Sequence, residues 1–237
     1  MHFELLICDC DGVLVDSELI ANRVLMEILS DLGLRMTFEE CVCTFIGRSA
    51  ATCMAMIEAR IGRRLPPQFL PDWDERLLAS LRKEVKPIPG IIEALDQIRL
   101  PVCVASSSSH ERMRLTLGAT GLLARFEGRL FSATEVVRGK PSPDLFLHAA
   151  RAMGVPPGRC AVVEDSRVGV EAGIAAGMAV FGYVGGALSD PKHLQGAGAT
   201  VFVDMAELPL LLQPNRARPN PSRQPTRKKP PAADASP

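Results

Sequence analysis

Two stretches of the chain each finish an apolar run on a pair of acids. Residues 5–12, LLICDCDG, end on Asp9 and Asp11, and residues 159–166, RCAVVEDS, end on Glu164 and Asp165. A D-x-D pair alone fits a solvated turn with a helix cap. Carboxylates brought together at buried strand ends are different, because they are costly to bury unless paired or metal-bound and they repel one another. A hard divalent cation resolves the conflict. Mg²⁺ takes few carboxylates, keeps several waters and accompanies substrate phosphate, with Mn²⁺ as a similar oxygen-ligated substitute. Lysine supplies the second clue. Residues 1–213 contain only four, at 83, 86, 140 and 192, and Lys140 sits in GKPSPD just before a helix. A fixed cation beside a carboxylate cluster suits the charge of a transferring phosphoryl group. Ser106, at the end of an apolar run, can donate a hydrogen bond to a phosphoryl oxygen, whereas Ser107 to Ser109 also read as turn chemistry.

These residues need elements that bring them to one place. LLI (5–7) and AVV (161–163) read as short buried strands, as do PVCVASSSS (101–109), RLFSA, AVFGYV and TVFV. Between the first strand and residue 87 the pattern is helical throughout. Apolar residues recur at 20, 24, 25, 28, 29 and 32, TFEE (37–40) has the form of a capping box, and helices are predicted over 49–62 and from about 70 to 84. From residue 88 helices alternate with strands, including one over 142–154 with Ser142 as N-cap and Pro143 at its first position. Strands alternating with helices imply a parallel α/β sheet with right-handed crossovers. Ligands of such sheets bind outside the carboxyl ends of the strands, where Asp9, Asp11, Ser106, Glu164 and Asp165 are expected.

Composition narrows the function classes. The 237 residues carry no net charge, but residues 214–237 hold six basic residues against Asp234, which leaves 21 basic and 26 acidic residues in 1–213. An acidic body gives no support to nucleic-acid binding as the main activity. The segment 214–237 has seven prolines and almost no large apolar residues, so it is expected to be a disordered tail. Seven scattered cysteines without a C-x-x-C pair fit packing in a reducing compartment better than disulfides. The chain enters its first strand too early to hold a signal peptide, and no apolar run reaches the ~18 residues of a membrane span. The expectation is a cytoplasmic protein without membrane or nucleic-acid partners, and a monomer is favoured.

At this point the sequence resembles the haloacid dehalogenase-like (HAD) superfamily, over residues 4 to about 205. DCDGVLVDSE resembles its first motif, VASSS the second, GKPSPDLF the third and VVEDS the fourth, in order. The resemblance implies a Rossmann-like parallel-sheet core from residues 1–16 and 88–213, with 17–87 inserted as an all-helical cap domain. The motifs are most similar to the branch of β-phosphoglucomutase, phosphoglycolate phosphatase and 6-phosphogluconate phosphatase. It implies that Asp9 is the nucleophile, forming an aspartyl phosphate, and that Asp11 is acid and then base. Ser106 and Lys140 complete the catalytic set, and Mg²⁺ is held by Asp9, the Asp11 carbonyl and Asp165 with help from Glu164. Substrate selection is assigned to Arg48 in FIGRS, with Arg76 a further cap candidate, and to Ser107 and Ser108 beside the second motif, where His110 also lies.

The resemblance also orders the alternatives. Dehalogenases and phosphonoacetaldehyde hydrolases lack the second acid, which is Asp11 here. β-Phosphoglucomutases carry a histidine ten places after that acid and a cap lysine. This chain has Ala21 at the first position and no lysine in 66–82. A phosphatase for a sugar or sugar-acid phosphate such as 6-phosphogluconate is therefore favoured over a phosphosugar mutase or a phosphoglycolate phosphatase. A non-catalytic binding protein is disfavoured because every motif residue is present.

Overall fold

The computed structural model describes residues 2–45, 50–186 and 189–213; Arg48 and the basic segment 214–237 lie outside them. The first strand, β1 (Leu5–Cys8), is followed by four helices: α1 (Glu18–Asp31), α2 (Phe38–Phe45), α3 (Ala50–Ile61) and α4 (Phe69–Glu84). Next come α5 (Ile91–Gln97), β2 (Val102–Ser106), α6 (His110–Ala119), the single turn α7 (Leu123–Phe126) and β3 (Leu130–Ser132). Then α8 (Asp144–Ala152) leads to β4 (Cys160–Glu164), α9 (Arg167–Ala175) to β5 (Ala179–Tyr183), and α10 (Pro191–Gly196) to β6 (Thr200–Phe202), before α11 (Leu208–Leu211).

All six strands are parallel, in the order β3-β2-β1-β4-β5-β6. This is the α/β architecture that the alternation predicts. The central strands β1 and β4 are buried along their whole length, as a continuous apolar run requires when helices cover both faces of a sheet. Side chains of β1 alternate between the two cores. Leu6 and Cys8 join one apolar cluster, and Leu5 and Ile7 join the other. The first cluster continues without a break through Val13 and Val15 into Val24, Leu29, Phe45, Leu77 and Leu81 of the helical segment. The helices α1 and α4 pack on each other, and α4 also rests on α6.

Strand order reverses at β1 and β4, where successive strands add to opposite sides, so this is the switch point at which such sheets open a crevice. One local expectation fails. Helix α8 has Pro143 rather than Ser142 at its N-cap, and the Ser142 hydroxyl donates to Asp144 Oδ1 at 2.7 Å. The short α7, α10 and α11 are too brief to show a helical period in sequence. The TFEE capping box forms as expected, with Thr37 N donating to Glu40 Oε2 (2.8 Å) and Glu40 N to Thr37 Oγ1 (3.1 Å).

Candidate active site

The loop after β1 sets the site. Asp9 N donates to Val163 O at 3.0 Å and so carries the β1–β4 pairing one residue past the strand. Leu14 N and Val15 N then donate to Cys10 O (2.9 and 3.1 Å), and Gly12 N to Val15 O (2.9 Å), folding the chain back over the sheet edge. Gly12 lies at φ +78°, and a Cβ there would stand 1.9 Å from Asp165 Oδ2. The position therefore needs glycine twice over, for its left-handed backbone and for the close approach of the acid.

Around Asp9 the side chains carry opposed charges. Lys140 reaches in from the loop before α8, and its Nζ donates to Asp9 Oδ1 (2.8 Å), Glu164 Oε1 (2.6 Å) and Ala105 O (3.0 Å). The ammonium also sits 4.9 Å from the centre of the Phe146 ring. Burial pulls its pKa down, but Asp9 and Glu164 outweigh burial and hold it above the usual lysine value. Glu164 is fully buried, and its other oxygen accepts from Ser166 Oγ (2.9 Å) and Ser166 N (3.2 Å). One carboxylate oxygen each from Asp9, Glu164 and Asp165 lie within 4.8 Å of one another, and no other such group occurs among the described residues. Burial raises the Asp9 pKa to about 7; Lys140 opposes that rise, while Glu164 and Asp11 add to it. Burial, then Glu164, Asp9 and Glu18, push Asp165 well above the carboxylate range. An all-oxygen set of crowded acids in need of positive charge fits a hard divalent cation such as Mg²⁺.

Asp11 has the reverse surroundings. Its Oδ1 accepts from the Ser17 hydroxyl and from Arg112 Nη2 (3.0 Å), and its Oδ2 accepts from Ser108 Oγ (2.6 Å). Burial alone would raise its pKa, but Arg112, Ser108 and Ser17 outweigh it and lower the value. The side chain is outside the three-acid cluster of Asp9, Glu164 and Asp165.

The remaining expected residues divide. Ser106 is buried at the end of β2, and its Oγ accepts from Ser108 N at 3.0 Å. Ser107 is exposed, and the Ser108 hydroxyl is committed to Asp11. Ser109 caps α6 by accepting from Arg112 N at 3.3 Å. His110 contacts Glu135, which His148 also contacts at 2.8 Å. Arg76 is engaged in an exposed pair with Asp31 at 2.7 Å. Arg48 lies outside the described residues. The seven cysteines form no disulfide among the described residues and six of them are buried; burial raises Cys103 to about 12 and Cys41 to about 11. Among the described residues no helix is long and apolar enough to cross a membrane. Sequence reasoning missed Ser17 and Arg112. Ser17 stands within the DSE that follows the first motif, but nothing in its type shows which acid it serves. Arg112, in HERMR, is indistinguishable by sequence from a surface residue of α6.

Comparisons with known proteins identify the family. Residues 3–177 match the family model of haloacid dehalogenase-like hydrolases. The chain is 32% identical to 6-phosphogluconate phosphatase of Escherichia coli (strain K12), over 89% of this chain and 95% of that protein. It is 29% identical to the fructose-1-phosphate phosphatase YqaB of the same organism, over 73% of this chain and 92% of that one. Among solved structures, a haloacid dehalogenase-like protein of unknown function from Agrobacterium tumefaciens superposes with a TM-score of 0.80 at 38% identity, covering 89% of this chain and 97% of the other. Motif order, sheet topology and these likenesses lead to one assignment: the chain belongs to the haloacid dehalogenase-like hydrolase family, and it is a phosphatase of that family.

Proposed function

We propose that the protein is a Mg²⁺-dependent phosphatase that hydrolyses a small phosphorylated metabolite, a sugar or sugar-acid phosphate such as 6-phosphogluconate, through an aspartyl phosphate on Asp9. One observation carries the reading: Asp9 has Oδ1 held by Lys140 and Oδ2 without a hydrogen bond among the described residues, while Asp11 two residues on is held by three donors. A carboxylate fixed at one oxygen and open at the other is set to attack phosphorus. The Asp9–phosphorus bond forms as the bond to the ester oxygen breaks, and Asp11, which its three donors favour as the carboxylate in the ligand-free protein, must take up a proton as the substrate binds and gives it to the departing alkoxide. Asp11 then takes a proton from water as the water oxygen attacks the aspartyl phosphate, which regenerates Asp9 and releases inorganic phosphate. Lys140 and the Ser106 hydroxyl face the phosphoryl oxygens and stabilise their charge. Mg²⁺, held by Asp9, the Asp11 carbonyl and Asp165 with Glu164 behind them, supplies charge neutralisation and alignment when bound. Mn²⁺ has the same ligand preference and is expected to substitute.

In this reading residues 17–87 act as a cap domain over the core, Arg48, Ser107 and Ser108 are assigned to substrate binding, and the protein works as a cytoplasmic monomer. The mutase alternative is disfavoured by Ala21 and by the lack of lysine in 66–82. The deciding assay is phosphate release from a panel of sugar and sugar-acid phosphates with and without Mg²⁺. Incubation of β-glucose 1-phosphate with a bisphosphate activator, followed by phosphorus NMR, separates the two reactions. Glucose 6-phosphate accumulating faster than free phosphate would overturn the hydrolase reading.

A further inference from the structure

Two polar groups at this sheet edge have no task in the chemistry above: the carboxylate of Glu18 and the Nε of Arg112. Glu18 opens α1 directly after Ser17, whose hydroxyl donates to the same Asp11 Oδ1 that accepts from Arg112 Nη2, so the chain sets it beside the Asp11–Arg112 pair; the charges of Asp11 and Arg112 act on it in turn. No hydrogen bond or ion pair among the described residues engages that carboxylate; only the Glu18 main-chain carbonyl is bonded, by Asn22. Arg112 reaches the same space from α6. Its Nη2 is spent on Asp11, while its Nε is buried and has no acceptor. A buried donor left unmade is costly, and a native structure retains one where something else completes it.

The chemistry of the pair indicates the ligand. The positive charge of Arg112 is already balanced by Asp11, so a second anion would meet the repulsion of Glu18. A hydroxyl suits both groups, since it accepts from Nε and donates to a carboxylate. Both groups flank Asp11, the acid assigned to the leaving oxygen, so they border the leaving group rather than the phosphoryl group. They come from different parts of the chain, Glu18 from the helical segment and Arg112 from the sheet domain.

We infer that Glu18 and Arg112 form a specificity subsite that reads hydroxyls on the leaving group, so that esters of polyhydroxy alcohols are chosen over plain alkyl phosphates. This inference rests on the phosphatase reading. The test compares kcat/KM for glucitol 6-phosphate and n-hexyl phosphate, two primary phosphate esters with six-carbon chains. The quantity to follow is the polyol-to-alkyl ratio, in which intrinsic differences between the alcohols cancel from one variant to the next. Glu18→Ala is expected to lower that ratio about tenfold or more, and Glu18→Gln, which keeps an acceptor, to restore most of it. Arg112→Lys keeps a positive charge beside Asp11 but removes Nε, and it should lower the ratio as well. Thermal melts of each variant identify any that fail to fold, and the ratio is then read from the folded ones. If Glu18→Ala and Arg112→Lys slow both esters equally, the subsite is overturned and the phosphatase reading stands. A change in Mg²⁺ activation with the ratio intact would assign Glu18 to the cation instead and also overturn it. Wild-type enzyme that releases phosphate from neither ester nor any sugar phosphate would remove both.

Discussion

Asp9 and Asp11 are two residues apart on one loop, yet their surroundings are opposite. Asp9 stands among Lys140, Glu164 and Asp165, with its pKa raised to about 7 by burial and by its acidic neighbours. Asp11 stands among donors from three elements, Ser17, Ser108 and Arg112, which lower its pKa. The difference teaches how a short motif sets two acids in opposite electrostatic surroundings. The first acid is crowded by other acids against one ammonium, the surroundings that the proposed function assigns to a cation and a nucleophile. The second is saturated by the protein, so its position is fixed before any ligand arrives. Only Cys10 separates them, and the turn at Gly12 follows the second acid.

The largest expected effects come from removing each acid in turn. Asp9→Asn keeps the shape and should take turnover to background on every ester, because the attacking carboxylate is gone. Asp11→Asn should cost about 10²–10⁴-fold on alkyl phosphates, in the range of general acid–base contributions. It should cost far less on p-nitrophenyl phosphate, whose leaving group departs without a proton. Steady-state kinetics on the two ester classes check this, and equal losses on both would erase the division of labour drawn here.

Lys140 tests the Asp9 side through stability. Its side chain is only 3% exposed and holds two acids together. Removing one partner of a buried ion pair costs about 3–5 kcal/mol, so Lys140→Met should fall in that range by urea denaturation. Part of the loss should return on adding Mg²⁺, which supplies charge to the same acids. A melting point unchanged from wild type would mean that Lys140 does not compensate them.

The pH dependence separates the two sides by sign. A carboxyl raised in the folded state stabilises fully below its unfolded value and loses that contribution as pH rises through the folded value. For Asp9 this places the loss between about pH 4 and pH 7, and the raised Asp165 adds in the same direction. Chelator-treated protein should therefore melt several degrees lower at pH 8 than at pH 5, at about 2–4 °C per kcal/mol for a chain of this size. Mg²⁺ should flatten or reverse that slope. Asp11 acts the other way: its contribution is present above the unfolded value and is lost only as the solution becomes strongly acidic. Scanning fluorimetry across pH with and without Mg²⁺ decides it, and a metal-free melting point that rises from pH 5 to pH 8 contradicts the assignment.

Much of this was legible before any coordinates. The sheet, the helical insertion after β1 and the placement of Asp9, Ser106, Lys140, Glu164 and Asp165 at strand ends or the adjoining loop follow from period and motif, because apolar runs and fixed spacings are local signals. Two of the three partners of Asp11 are not local, Ser17 being only six positions away. Arg112 lies 101 positions from Asp11 and Ser108 lies 97, and only the fold brings them together. Nor could sequence show that Ser108 would be spent on an acid, or that Pro143 would displace Ser142 from the cap of α8. Both outcomes depend on which neighbour reaches a hydroxyl first.

The smallest expected effect concerns a second arginine. By residue type Arg76 resembles Arg112 as a candidate substrate clamp, but its surroundings differ as much as those of the two acids do. Arg112 has a side chain 23% exposed and meets a carboxylate at the sheet edge, whereas the Arg76 side chain is 51% exposed and meets Asp31, itself 59% exposed. Exposed pairs of this kind are worth about 0.5 kcal/mol or less, because water screens them and two long side chains lose freedom in forming them. Arg76→Ala should therefore shift the melting point by about 1–2 °C at most and leave KM for sugar phosphates within about twofold, with Arg112→Ala as the contrasting variant. The measurement is a pair of Michaelis curves on the same ester. A tenfold rise in KM for Arg76→Ala would show that this guanidinium leaves Asp31 to bind substrate, and burial would then no longer distinguish the arginines that serve the site from those that do not.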